Sequence, residues 1–357
     1  MKKVERNYYI DFLKFLFSIV IVLYHSWVFA GSYGNGLFNR GYYAVDFYFI
    51  VSGYLFILSI EKLKRSDFKG KSLGFINLNF LWKRMRSLLP SVGLVFIIGY
   101  LVLSENVLAG FFSDATQTEL LQLGFIGKGM LVNLGTWYLS VMFLLFFILF
   151  PLAYKHKKNF NYYIAPLIII LTIGIVNYKN INICDPLSRT FIFSNGFYKG
   201  LIFINLGVIA YEISCYFKKI ELNALGKSLF TVAETLAYGF CLANMHYALS
   251  ESYFMAFMFV LGVSISFSGQ SYVGNLFKSK WFEKIGKFGF LCYLCNIPVR
   301  TFLLEKFSFD YYAMVIIFLL ITFSLAGICY FITEYLFHKV NWRKILKVVI
   351  KEKTTSN

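Results

Sequence analysis

Residues 8 to 29 read YYIDFLKFLFSIVIVLYHSWVF, and this stretch decides the fold class. A helix needs about 20 mostly apolar residues to cross a bilayer, and the run is long enough. It is interrupted by Asp11, Lys14, Ser18 and His25. At about 100° per residue these spacings put all four on one stripe of the helix. Lys14 and His25 stand close to three turns apart, ~16 Å along the axis, so one lies toward each end of the membrane. An ionised group near the bilayer centre costs at least ~2.5 kcal/mol, so each needs a partner, a cavity or a function. The plainer reading has Lys14 snorkelling to the inner headgroups, paired with Asp11, and His25 as an interfacial or hydrogen-bonded histidine. Lys2, Lys3 and Val28-Phe29-Ala30 formally imitate a signal peptide. Asp11 and Lys14 inside the apolar region argue against that and for a retained spanning helix.

The rest of the chain repeats the pattern. Of 357 residues, 58% are hydrophobic and only 15% charged, whereas soluble domains run at about 45–50% apolar and about 25% charged. The sequence predicts an all-α, polytopic integral membrane protein with about ten transmembrane helices. They fall near residues 8–29, 41–60, 89–103, 131–154, 162–177, 198–217, 228–248, 252–268, 287–304 and 311–337. With the N-terminus in the cytoplasm, 27 of the 35 Lys and Arg fall in cytoplasmic segments, including a basic tail from about residue 339. Seven fall outside: Arg40, Lys128, Lys179, Arg189, Lys199, Arg300 and Lys306. That asymmetry places both termini inside and explains the formal net charge of +17 as a topology signal. A nucleic-acid face would be a continuous basic surface; here the charges come in short clusters between apolar runs.

The second predicted helix opens Tyr42-Tyr43-Ala44-Val45-Asp46 and continues to Ser52-Gly53-Tyr54-Leu55. A short connection makes it an antiparallel neighbour of the first, with Asp46 at about the depth of His25. A carboxylate there would fix the imidazole tautomer and raise its basicity. Alternatively Asp46 caps the helix and Ser52-Gly53 is a small-residue packing notch. The six cysteines mostly fall inside helices as packing residues, the Cys292-x-x-Cys295 pair included. The four histidines are scattered, and no metal site is evident. Glu234 and His246 lie on different faces of the seventh helix; Glu334 and His338 form an i, i+4 pair near the end of the tenth. No repeat or linker divides the chain, which reads as one membrane-embedded domain over 1–357.

Ile10-Asp11-Phe12-Leu13-Lys14, ten residues and His25, then Ala44-Val45-Asp46 running into Val51-Ser52-Gly53-Tyr54-Leu55, resemble acyltransferase family 3, the integral-membrane O-acyltransferases. The likeness continues in Trp82-Lys83-Arg84-Met85-Arg86-Ser87-Leu88-Leu89-Pro90, in Thr136-Trp137-Tyr138-Leu139 and in Gly286 to Leu294. Three positions depart from it. Ser87 stands where similar proteins carry a second Arg, Asn296 where they carry a late His, and Ser140-Val141-Met142-Phe143 lacks the Glu of some relatives.

The resemblance implies transfer of an acyl group, usually acetyl from acetyl-CoA or another acyl-CoA, from the cytoplasm to a hydroxyl of an extracytoplasmic glycan or polyprenyl-linked sugar. The setting it implies is a bacterial cytoplasmic (inner) membrane. It implies no permanently bound cofactor and no nucleic-acid partner. His25 becomes the catalytic base, oriented by Asp46. Lys83, Arg84 and Arg86 at the cytoplasmic mouth, with Lys14 deeper, become the groups that hold CoA phosphates. Trp137 and Tyr138 become a stacking surface for a sugar. Lys14, Ser52 or the Trp137 Nε1–H are the candidates to stabilise the oxyanion. Two other readings stay open. A transporter or flippase for lipid-linked sugar or acyl groups would show matching broken helices in two halves, and a non-catalytic partner of a glycan synthesis complex would keep the fold without the chemistry.

Overall fold

A computed structural model of the chain describes residues 6–31, 37–64, 70–103, 134–190, 193–248 and 252–337. Its helices are α1 (Tyr8–His25), α2 (Ala44–Lys64), α3 (Leu73–Leu103), α4 (Trp137–Lys155), α5 (Lys157–Tyr178), α6 (Asn195–Phe217), α7 (Ala224–Tyr247), α8 (Ser252–Ser268), α9 (Trp281–Lys306) and α10 (Tyr311–Phe331). A two-stranded hairpin, β1 (Arg189–Thr190) antiparallel to β2 (Phe193–Ser194), precedes α6. The loop at 104–130, His338 and the basic tail from 339 lie outside the described residues.

The all-α membrane architecture holds. Among the described residues eight helices are long and apolar enough to cross a membrane. The two outside that set are α7, which is long but more polar, and α8, which is apolar but shorter. The exposed side chains of Leu167, Ile170 and Leu171 on α5 and of Ile316 and Leu320 on α10 form apolar outer faces suited to lipid.

The third helix differs most from expectation. The charges at Lys83, Arg84 and Arg86 read as a boundary, yet α3 begins at Leu73 and runs through them and through Pro90. Lys and Arg are good helix formers, so a cluster of charges need not end a helix. The same holds for α9, which begins at Trp281, ahead of Lys287.

Two close crossings fix the site. Gly53 of α2 and Gly207 of α6 pack backbone on backbone: a Cβ on Gly53 would lie 2.0 Å from the Ile204 carbonyl oxygen, and one on Gly207 2.1 Å from that of Ile50. On α9, a Cβ on Gly289 would lie 2.7 Å from Phe15 Cα of α1. Small residues at such points let helices approach where lipid supplies no hydrophobic drive. The partners advance in step, Asp46 with Lys199 and Tyr54 with Ser214 on α2 and α6, Asp11 with Gly286 and Phe15 with Gly289 on α1 and α9. Both pairs are therefore parallel.

Candidate functional site

The stripe on α1 meets a second one on α9. Gly286, Gly289, Tyr293, Asn296 and Arg300 follow at steps of 3, 4, 3 and 4, the spacing of one helix face. The two glycines seat α9 against α1, and the three polar residues beyond them line up with the length of α1 from Ser18 to His25.

At the Lys14 end, Asp11 is held by Arg6 Nε at 2.6 Å and by Lys14 Nζ at 3.5 Å. A further chain of charges joins the neighbouring helix ends: Arg6 to Glu283 at 3.1 Å, and Lys287 to Glu334 at 2.8 Å. Arg84 turns inward, its guanidinium over the rings of Phe80 and Phe146 at 4.9 and 4.7 Å. It donates to Ser59 Oγ at 3.3 Å and stands close enough to Lys14 for their charges to interact. Lys83 and Arg86 are exposed on other faces of α3. The expected cluster of three cations therefore splits, because residues one and two places apart point about 100° and 200° away from each other.

Between the two ends runs a set of hydroxyls. Tyr48 OH lies 2.5 Å from Ser18 Oγ and donates to the Lys14 carbonyl. Tyr138 OH lies 2.7 Å from Ser52 Oγ and 3.3 Å from the Tyr48 carbonyl. Tyr293 stacks on Tyr48 at 6.3 Å between centroids and donates to the Gly135 carbonyl. Ser52 and Tyr138 thus do meet, but deep in the bundle. Trp137, one step earlier on α4, points elsewhere, into the cavity that holds His25. The pair does not form a single stacking surface, again because neighbouring residues diverge by about 100°.

That cavity has a volume of about 570 Å³. His25, Trp137, Tyr42, Lys199, Tyr293 and Arg300 line it, and the segment from Asn182 to Leu187 covers one side. The segment is tied to the start of α6 by Asn195 N–H to Ser188 O at 2.8 Å and Gly196 N–H to Pro186 O at 3.0 Å. The Nδ1 of His25 is buried and has no hydrogen-bond partner among the described residues. Its polar neighbours are Asn296 and Arg300. Asn296 spends its amide N–H groups on the carbonyls of its own helix at Tyr293 and Cys292. Its Oδ1, otherwise unpartnered, is left as the acceptor available to the imidazole.

The expected pairing of Asp46 with His25 is corrected. Asp46 Oδ1 lies 2.8 Å from Lys199 Nζ, with both side chains no more than 3% exposed. Asp46, Ile50 and Gly53 share the face of α2 that packs on α6, whereas His25 faces α9. Lys199 sits among the rings of Tyr42, Tyr43 and Phe203 at 5.6 to 6.0 Å. Lys199 and Arg300, counted among the outer cations, are thus side chains of the site. Their signal was present in the sequence: a lone Lys four residues into an apolar helix, and an Arg in register with Gly289, Tyr293 and Asn296.

Two further titratable groups named from the sequence lie apart from this cavity. Glu234 accepts from Ser266, which also lies 3.0 Å from Tyr238 OH, and the His246 ring packs on Phe38 at 5.3 Å. Among the described residues no group of three His, Cys, Asp or Glu side chains is placed to hold a metal ion.

Fold and composition define a multi-pass membrane protein with cations at one end of a buried polar line and a histidine cavity at the other. Residues 7–334 match the family described as "Acyltransferase domain", and the chain belongs to this acyltransferase family, family 3. Comparison with curated proteins and with solved structures gave no match.

Proposed function

We propose that this membrane acyltransferase moves an acyl group, acetyl in the first instance, from acyl-CoA on the cytoplasmic side to a hydroxyl of an extracytoplasmic glycan or lipid-linked sugar. The observation that carries this reading is the run of buried hydroxyls, Ser18, Tyr48, Ser52, Tyr138 and Tyr293, that lies between the Lys14–Arg84 end and the His25 cavity. The two ends supply cations for phosphates and a base.

Lys14 and Arg84 receive the diphosphate of CoA from within the bundle, while Lys83 and Arg86 on the exposed faces of α3 reach its outer phosphates. The extended thiol arm then covers the ~16 Å that separates Lys14 from His25 along α1. With Asn296 Oδ1 as the acceptor within the site available to one imidazole N–H, the other nitrogen takes the proton of the acceptor hydroxyl as its oxygen attacks the thioester carbonyl. Collapse of the tetrahedral adduct expels the thiolate of CoA, and His25 returns the proton to it. Of the candidates for the oxyanion, Trp137 shares the cavity with His25; Ser52 is engaged by Tyr138 and Lys14 stands at the far end. Asp46 serves here as the counter-ion of Lys199 in the wall.

Purified protein supplied with labelled acetyl-CoA and a membrane-derived acceptor fraction tests the reading. His25→Ala should lower transfer by about 10²–10⁴-fold, the usual contribution of a general base, with acyl-CoA binding retained. Near wild-type transfer by a folded His25→Ala protein would sink it.

A further inference from the structure

Arg300 is the cavity group with the least protein around it to neutralise it. Its Nε is buried without a hydrogen-bond partner, and no carboxylate among the described residues lies within 4.0 Å of its guanidinium. Lys199, the other cation in the wall, is matched by Asp46. The one acidic side chain on the cavity lining, Asp185, sits at the exposed rim and accepts from Ser188. A half-buried guanidinium whose Nε is withdrawn from solvent, and which has no carboxylate among the described residues within ion-pair reach, is costly, and within a membrane protein it marks a place where an anion arrives. Its planar fork fits phosphate or carboxylate oxygens in a way that a neutral sugar hydroxyl does not.

We infer that the acceptor carries an anionic group, a phosphate or a carboxylate, and that Arg300 binds it in the cavity beside His25. The inference rests on the proposed function for the identity of the acceptor, but the anion site stands on its own geometry. Arg300 and His25 are neighbours, so a phosphate or carboxylate anchored on the guanidinium places a nearby hydroxyl of the same molecule at the imidazole. Trp137 and Tyr42 line the same space, aromatic side chains of a kind suited to the apolar side of a sugar ring. Two sources would supply that chemistry, the diphosphate of a lipid-linked sugar and the carboxylate of an acidic glycan.

The experiment measures direct binding to the purified full-length protein of three probes: a polyprenyl-diphosphate-linked monosaccharide, a uronic acid oligosaccharide without phosphate, and a neutral oligosaccharide of the same length. Wild-type protein should bind at least one anionic probe tighter than the neutral one by roughly tenfold or more, the scale of a charge-assisted hydrogen bond. Whichever anionic probe binds identifies the source. Arg300→Gln should abolish the preference and Arg300→Lys keep part of it, with acyl-CoA binding unchanged in both as the check on folding. Equal binding of all three probes, binding of none, or a preference that survives Arg300→Gln would overturn the inference. His25→Ala separates it from the wider reading: it should keep the anion preference and lose transfer, and transfer that persists would sink the proposed chemistry while leaving the anion site intact.

Discussion

Asp46 and Lys199 form an ion pair in which both partners are almost wholly withdrawn from the surface. The energetics of such a pair are asymmetric. Replacing both members with apolar groups of similar volume is often nearly neutral, whereas removing one leaves an uncompensated buried charge and costs about 3–5 kcal/mol. Asp46→Asn should therefore destabilise the detergent-solubilised protein strongly, and Asp46→Leu combined with Lys199→Met should recover most of the loss, read as thermal unfolding midpoints. If the single and double variants unfolded together, the pair would not be the structural unit described here. Asp46 stands out in the sequence as an acid within an apolar run, but its partner does not, because depth in the membrane follows from residue number while direction around the helix follows from what packs on each face.

At the scale of the helix, the α2–α6 and α1–α9 crossings do the positioning. Gly53 and Gly207 bring α6 close enough for Lys199 to meet Asp46, and Gly289 brings α9 close enough to set Tyr293, Asn296 and Arg300 along the stripe on α1. A Cβ at Gly53 has no flexible side chain to push aside, since the obstructing atoms are the backbone of Ile204. Gly53→Ala should cost at least about 1–3 kcal/mol, the range for overpacking a tight core. The same substitution at Gly239, where a Cβ would meet nothing within 4 Å, should be neutral or slightly stabilising. Comparable unfolding midpoints for the two variants would contradict the crossing geometry. The notch at Ser52-Gly53 was legible as a small-residue motif. Its two functions were not, because Gly53 faces α6 while Ser52, one residue away, reaches Tyr138.

For the molecule as a whole, the parallel pairs constrain how the chain is threaded. Helices that run parallel within one membrane have an even number of crossings from one to the other, which suits α2 with α6 and α1 with α9. With the N-terminus in the cytoplasm, the Asn182 to Leu187 segment and the His25 cavity face outward, and the α6–α7 turn faces inward. In a cysteine-free background, a membrane-impermeant thiol reagent should label Ser188→Cys in intact cells and Glu221→Cys only after the membrane is opened; both positions are exposed. Labelling of both from the same side would overturn the threading.

Composition, the apolar runs and the one-sided distribution of Lys and Arg were enough to specify a helical membrane protein, because transfer into lipid depends on side-chain chemistry summed over a segment. The first-helix stripe was legible for the same kind of reason: a helix repeats every 3.6 residues whatever surrounds it. Residues 10 to 55 likewise carried enough pattern to indicate the family. Tertiary structure decided which stripe each one faces. It gave Asp46 to Lys199, set Asn296 and Arg300 beside His25, turned Arg84 inward and left Lys83 and Arg86 outside. Those choices depend on the rotation of each helix against its neighbours, fixed by a few glycine contacts between residues far apart in the chain.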